Sequence, residues 1–179
     1  NEICKVGSKL IVPSFSVGRT QQLLYFLDEL HTEKAIRPLP VYVDSPLSTR
    51  ATEVHERHPE CFDEAALEKL QRHSSPFNFP GLRFTADVEE SKALNAMPGP
   101  MVIISASGMC EAGRILHHLR NNIENSDNMI LFVGFQAENT LGRYLVEGRL
   151  RVDIFGEEHP VRARIAKINA LSGHADRNE

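Results

Sequence analysis

Four times in this chain a short apolar run ends, small and polar residues follow, and a helical pattern opens with an arginine near its start. The units run from Leu10 to Leu24, Val41 to Val54, Met101 to Leu119 and Met129 to Val146. From the last apolar strand residue to the arginine the spacing is 7 for Val12 to Arg19 and for Val43 to Arg50. It is 10 for Ile104 to Arg114 and for Val133 to Arg143. Apolar runs of this length followed by amphipathic helices are β-loop-α units, and such units build a mostly parallel sheet covered on both faces. The expected fold is α/β: a largely parallel, three-layer α/β/α (Rossmann-like) sheet.

In such a sheet the loops leaving the strand C-termini share one edge, and ligands bind there. Helix N-termini at that edge offer unpaired N–H groups that suit an anion. An arginine in a first turn is disfavoured by the helix dipole by roughly 0.3–1 kcal/mol, so its recurrence needs a reason. One reason is local pairing, since Glu111 precedes Arg114 by three residues and Glu138 precedes Arg143 by five. The other is a rim that binds phosphates. On that reading the candidate contacts are Ser14, Arg19, Ser105, Ser107, Gly108, Arg114 and Arg143, where small residues let a backbone approach an anion.

The chain of 179 residues, 41% hydrophobic and 25% charged, suits one globular domain with an ample core. No apolar run approaches the roughly 20 residues that span a bilayer. A net charge of −4 excludes a uniformly basic nucleic-acid surface but not a local basic cleft. Cys4, Cys61 and Cys110 are odd in number and far apart, which argues against a disulfide framework or a structural zinc site. A reducing, cytoplasmic compartment is expected. The chain opens at Asn1 rather than a methionine and reads as a domain cut from a longer, two-domain protein.

Taken in order, the pattern predicts a strand at Lys9 to Val12 and a helix from Gly18 to about Glu33. Val41 to Val43 is the second strand; Ser45 and Pro46 cap a helix that Pro59 stops. Glu60 to Arg72 is a further helix, Leu82 to Thr85 a short strand, and Asp87 with Glu90 a capping-box variant. Pro98-Gly99-Pro100 is a break before the third arginine unit, in which Ile115, Leu119 and Ile123 form one helix face. Leu150 to Phe155 and Val161 to Ile168, flanking Gly156 to Pro160, predict an antiparallel hairpin at the sheet edge near the C-terminus.

Several residues have a bland reading beside a sharp one. His55 and His58 share a helix face, as metal ligands can, but without a further ligand nearby they read as a solvated helix end. His117 and His118 cannot both face one site, and His118 is expected outward or along the sheet edge. Asp44 ends a strand and reads as a capping, loop-fixing residue, because no partner base is apparent near it in sequence.

Five blocks carry a family resemblance: Pro13 to Gln21, Asp44-Ser-Pro-Leu-Ser48, Ser105-Ala-Ser-Gly-Met109, Gly134 to Arg143, and Ser172-Gly-His-Ala-Asp176. Together, and in this order, they closely resemble the RNA-processing branch of the β-CASP group of metallo-β-lactamase-fold nucleases. The resemblance implies a β-CASP domain over residues 1–170, with 171–179 beginning the return into a metallo-β-lactamase domain of the same chain. It implies that His174 is the motif B histidine, which helps protonate the leaving oxygen, a role suited to a side chain that titrates near neutral pH. Two zinc ions are implied for the parent protein, with none bound by this stretch and no metal ligand among its residues.

The function so implied is an RNA-positioning, capping domain of a zinc-dependent ribonuclease, catalytically silent by itself. RNA and the metallo-β-lactamase domain are its expected partners; no membrane is expected, and a homodimer is left open. The alternatives are a non-catalytic module that binds nucleic acid or phosphate, or an inactive scaffold paralogue.

Overall fold

A computed structural model of the chain describes residues 2–72 and 75–168. Its strands are β1 (Lys9–Pro13), β2 (Val41–Asp44), β3 (Leu82–Phe84), β4 (Met101–Ser105), β5 (Met129–Phe132), β6 (Arg151–Ile154), β7 (Glu157–Pro160) and β8 (Arg164–Lys167). The helices are α1 (Glu2–Val6), α2 (Arg19–Thr32), α3 (Pro46–Arg57), α4 (Glu64–Arg72), α5 (Val88–Ala96), α6 (Arg114–Asn122) and α7 (Leu141–Val146). A 3-10 turn at Pro59–Cys61 separates α3 from α4.

Six strands form one sheet in the order β3-β2-β4-β1-β5-β8, and every pairing in it is parallel. The central strands are buried on both faces, which is why they read as unbroken apolar runs. Side chains alternate along them. Ile11, Ile103, Ile130 and Phe132 pack with Ile115 and Leu119 of α6 and Leu145 of α7. Val12, Val43, Val102 and Ile104 pack on the other side with Leu24 of α2. Each of these side chains contributes about 1.5–3 kcal/mol by leaving water. The expected three-layer α/β/α architecture is present.

The helix starts follow the capping chemistry. Ser45 Oγ accepts from the Ser48 amide with Pro46 in the first turn, and Thr140 Oγ1 accepts from the Arg143 amide. Asp87 Oδ1 accepts from the Glu90 amide while the Glu90 carboxylate reaches back to the Ala86 amide. α6 starts differently. Gly113 sits at φ 86 with no side-chain cap, and a Cβ there would lie 2.6 Å from the Ala106 carbonyl oxygen.

Two elements differ from the sequence reading. The predicted helix at Glu60 to Arg72 is split, because Asp63 caps α4 by accepting from the Ala66 amide. The hairpin also has a different second strand. Phe155 and Gly156 both have positive φ, 56 and 78, the backbone of a two-residue turn that suits antiparallel strands. This pairs β6 with Glu157–Pro160 in a separate two-stranded sheet. The apolar stretch that follows is thereby released to run parallel to β5 as the sheet edge β8.

Candidate nucleic-acid interface

With all six strands parallel, the segments 14–18, 45, 85–87, 106–113 and 133–140 leave the sheet at one edge. β1 leads to β2 in one direction and β4 leads to β5 in the other, so the chain switches direction between the two neighbouring strands β1 and β4. This is where open α/β sheets bind ligands. Here the two loops at the switch point pack together: the Ser14 amide donates to the Ser105 carbonyl at 2.9 Å, and the Phe15 ring covers Gly108. Exposed Phe15, Val17, Leu47 and Phe135 add apolar surface to the same edge.

The small residues expected to meet phosphate also make hydrogen bonds and packing contacts within these loops. Ser14 is buried, and its hydroxyl oxygen accepts from Thr20 Oγ1. Ser105 is buried and donates to the Asp44 carbonyl at 2.8 Å. Ser107 Oγ accepts from the amides of Glu111 and Ala112 and so closes its own loop. A Cβ on Gly108 would lie 2.8 Å from the Phe15 ring, so glycine is needed for loop packing, and its carbonyl accepts from Gln136.

The arginines are more open. Arg19 is half-buried and donates through Nη1 to Gln22 Oε1 at 2.6 Å. Arg50 is exposed. Arg143 donates through Nε to Glu147 Oε1 at 2.6 Å, one turn later in its own helix and not to Glu138. Arg114 does not pair with Glu111, whose carboxylate instead accepts from the Leu141 amide. It donates through Nη1 to Asp44 Oδ1 at 2.6 Å.

Asp44 is the centre of a buried cluster that sequence spacing did not reveal. Its side chain is fully buried at the end of β2, where the register places it beside Ser105. Thr85 and Arg114 donate to Oδ1, while the Ser91 hydroxyl and His118 Nε2 lie 2.6 Å from Oδ2. Burial by itself raises the Asp44 carboxyl, but hydrogen bonds from His118, Ser91, Thr85 and Arg114 outweigh it and hold the group well below the ordinary carboxylate range. The helix cap is Ser45, not Asp44. His118 is fully buried against this carboxylate at the end of β2, which overturns the outward reading and leaves the one along the sheet edge. A signal for it exists: Ile115, His118, Leu119, Asn122 and Ile123 form one helical stripe, and all five are buried.

His55 and His58 do not make a metal site. His55 Nδ1 bonds the Ala51 carbonyl, and His58 Nδ1 bonds Glu60 at the exposed end of α3. Among the described residues no group of three or more His, Cys, Asp or Glu is placed to hold a metal ion. These residues therefore do not fit zinc. His174 and the boundary at 170/171 lie outside the described residues.

A family model described as the Beta-Casp domain matches residues 20–145, which span α2 through α7. The chain belongs to the β-CASP family. It is 38% identical over 97% of its length to the Ribonuclease TTHA0252 of Thermus thermophilus, covering 40% of that protein. It is 30% identical over its whole length to the Transcription termination factor FttA of Thermococcus kodakarensis, covering 28%. An RNase J-like protein of Methanocaldococcus jannaschii is 30% identical over 99% of the chain, which covers 40% of it. The β-CASP domain thus spans well under half the length of these curated relatives.

Proposed function

We propose that this β-CASP domain is the RNA-positioning lobe of a zinc-dependent ribonuclease, joined in the parent protein to a metallo-β-lactamase domain. The observation that carries the reading is the arrangement of the arginine helix starts. Arg19, Arg50, Arg114 and Arg143 all sit at the strand C-terminal edge of one parallel sheet, on a chain of net charge −4. Relatives named as ribonucleases support the nuclease class. Phosphate contacts from arginines hold and orient a backbone without reading its sequence, which suits a positioning role. The exposed aromatic rings of Phe15 and Phe135 on the same edge are suited to stacking on unpaired bases.

His174 supplies the proton to the leaving oxygen, and zinc is held by the partner domain, in a cytoplasmic enzyme. No helix among the described residues is long and apolar enough to cross a membrane. The test is cleavage of a labelled single-stranded RNA by the full-length protein, with and without a zinc chelator, beside residues 1–179 alone. Cleavage by the full-length protein that chelation abolishes, with none from the domain, is the expected result. A full-length protein that binds RNA without cutting it would favour the scaffold reading, and chelator-resistant cleavage would remove zinc from the proposal.

A further inference from the structure

An amide relay starting at the opposite end of the sheet fixes the state of the ring that holds Asp44. The backbone N–H of Lys9 donates to Asn128 Oδ1 at 2.9 Å. A backbone N–H only donates, so the Asn128 amide nitrogen must be the atom facing Asn122, where it donates to the carbonyl oxygen and to Oδ1 at 3.1 Å. Asn122 then turns its own nitrogen to the His118 carbonyl at 2.8 Å and to Asn95 Oδ1 at 3.1 Å. It follows that the atom of Asn95 lying 2.9 Å from His118 Nδ1 is an oxygen. An amide oxygen only accepts, so Nδ1 carries a proton.

The other ring nitrogen, Nε2, lies 2.6 Å from Asp44 Oδ2. That carboxylate already receives the Arg114 guanidinium and the Ser91 and Thr85 hydroxyls, the arrangement of an ionised acid. Nε2 therefore donates as well. A fully buried ring with protons on both nitrogens is a cation, and it shares one carboxylate with Arg114. The groups around it are Asp44 from β2, Arg114 from its own helix, Ser91 and Asn95 from α5, Thr85 after β3, and Lys9 from β1. The Lys9 ammonium donates to the Leu94 and Asn95 carbonyls.

Arg114 commits only Nη1 to this cluster, to Asp44 and at 3.3 Å to Thr85 Oγ1, out of five N–H donors in its guanidinium. Its side chain is 19% exposed and lines a cavity of about 310 Å³ with Lys92, His117 and Asn121. We infer that His118 is a positioning residue for RNA binding: its doubly protonated ring fixes Asp44, and Asp44 fixes the Arg114 guanidinium with its remaining donors facing the phosphate. This rests on the rim reading given above.

Two measurements test it. In the 179-residue chain labelled with ¹⁵N-histidine, the His118 signal, identified by its loss in H118Q, should show a bonded proton on each ring nitrogen; a single bonded proton overturns the inference. In the full-length protein carrying this domain, the slope of log RNA affinity against log salt is compared for wild type, R114A, H118N, H118Q and R114A/H118N. Asparagine can keep the bond to Asn95 but falls short of Asp44, whereas glutamine can still donate to Asp44. H118N should flatten the slope by about 0.7, as loss of one single-strand phosphate contact does, and so should R114A. The double variant should be no flatter than either, and H118Q should keep the wild-type slope. A wild-type slope in H118N beside a flattened R114A, or additive flattening in the double variant, overturns the positioning role alone. An unchanged slope in R114A removes Arg114 from the rim and the positioning role with it, while R19A and R143A test the rest of the rim separately.

Discussion

Arg114 and Asp44 are 70 residues apart in sequence, yet the guanidinium donates to the carboxylate at 2.6 Å where helix α6 starts beside the end of strand β2. The pair joins the loop after β4 to the end of β2, and Thr85 and Ser91 draw the start of α5 to the same point. One buried acid thereby ties down three of the segments that form the rim. Removing it leaves Arg114 and His118 without their counter-charge. Asp44→Asn should cost about 3–5 kcal/mol, the range for breaking a buried ion pair from one side. Urea unfolding of the chain measures this, and a loss below about 1 kcal/mol would mean the cluster contributes little.

Acid should unfold the wild type through the same group. The Asp44 carboxyl is depressed in the folded state relative to its unfolded value of about 3.9. Its contribution is then fully present above the unfolded value and is lost as pH falls through the folded one. Stability plotted against pH should drop more steeply in wild type than in D44N below about pH 4. Parallel curves for the two proteins would show that Asp44 is not the group being protonated.

Arg143 separates binding from folding. Its partner Glu147 lies on the same helix with both side chains more than a third exposed. Such surface pairs contribute about 0.3–0.5 kcal/mol before salt screening. Arg143→Ala should therefore leave the unfolding midpoint almost unmoved while weakening RNA binding alike for RNAs of different sequence. A stability loss matching the loss of binding would make Arg143 a structural residue.

Most of the scaffold was legible from residue pattern because its determinants are local. Apolar runs such as Val102-Ile103-Ile104 mark strands buried on both faces, and Ser45 and Asp87 mark helix starts by the oxygen each offers to an amide. The Asp44 cluster was not legible, because its donors come from α5, α6 and the segment after β3, brought together only by the strand order β3-β2-β4. His118 lies inside an apolar stripe whose aliphatic members, Ile115, Leu119 and Ile123, dominate the pattern. The hairpin's second strand was not legible for a similar reason: Val161 to Ile168 is apolar enough for either partner, and the two positive φ values at Phe155 and Gly156 decide which strand pairs with β6.

His174 makes a separate prediction in the full-length protein. If it protonates the leaving oxygen, His174→Ala should lower the RNA cleavage rate by roughly 10²–10⁴. Bound zinc, measured by elemental analysis, should stay at the wild-type level. A parallel loss of zinc would identify the histidine as a ligand.

The rim itself is tested most directly by salt titration of a labelled single-stranded RNA on the full-length protein and on its Arg19→Ala, Arg143→Ala and doubly substituted forms. Each single substitution should flatten the slope of log affinity against log salt by about 0.7, and the double substitution by about twice that, whatever the RNA sequence. Wild-type slopes in all three variants would reduce these arginines to partners of Gln22 and Glu147 and leave the strand-end rim without a role in RNA binding.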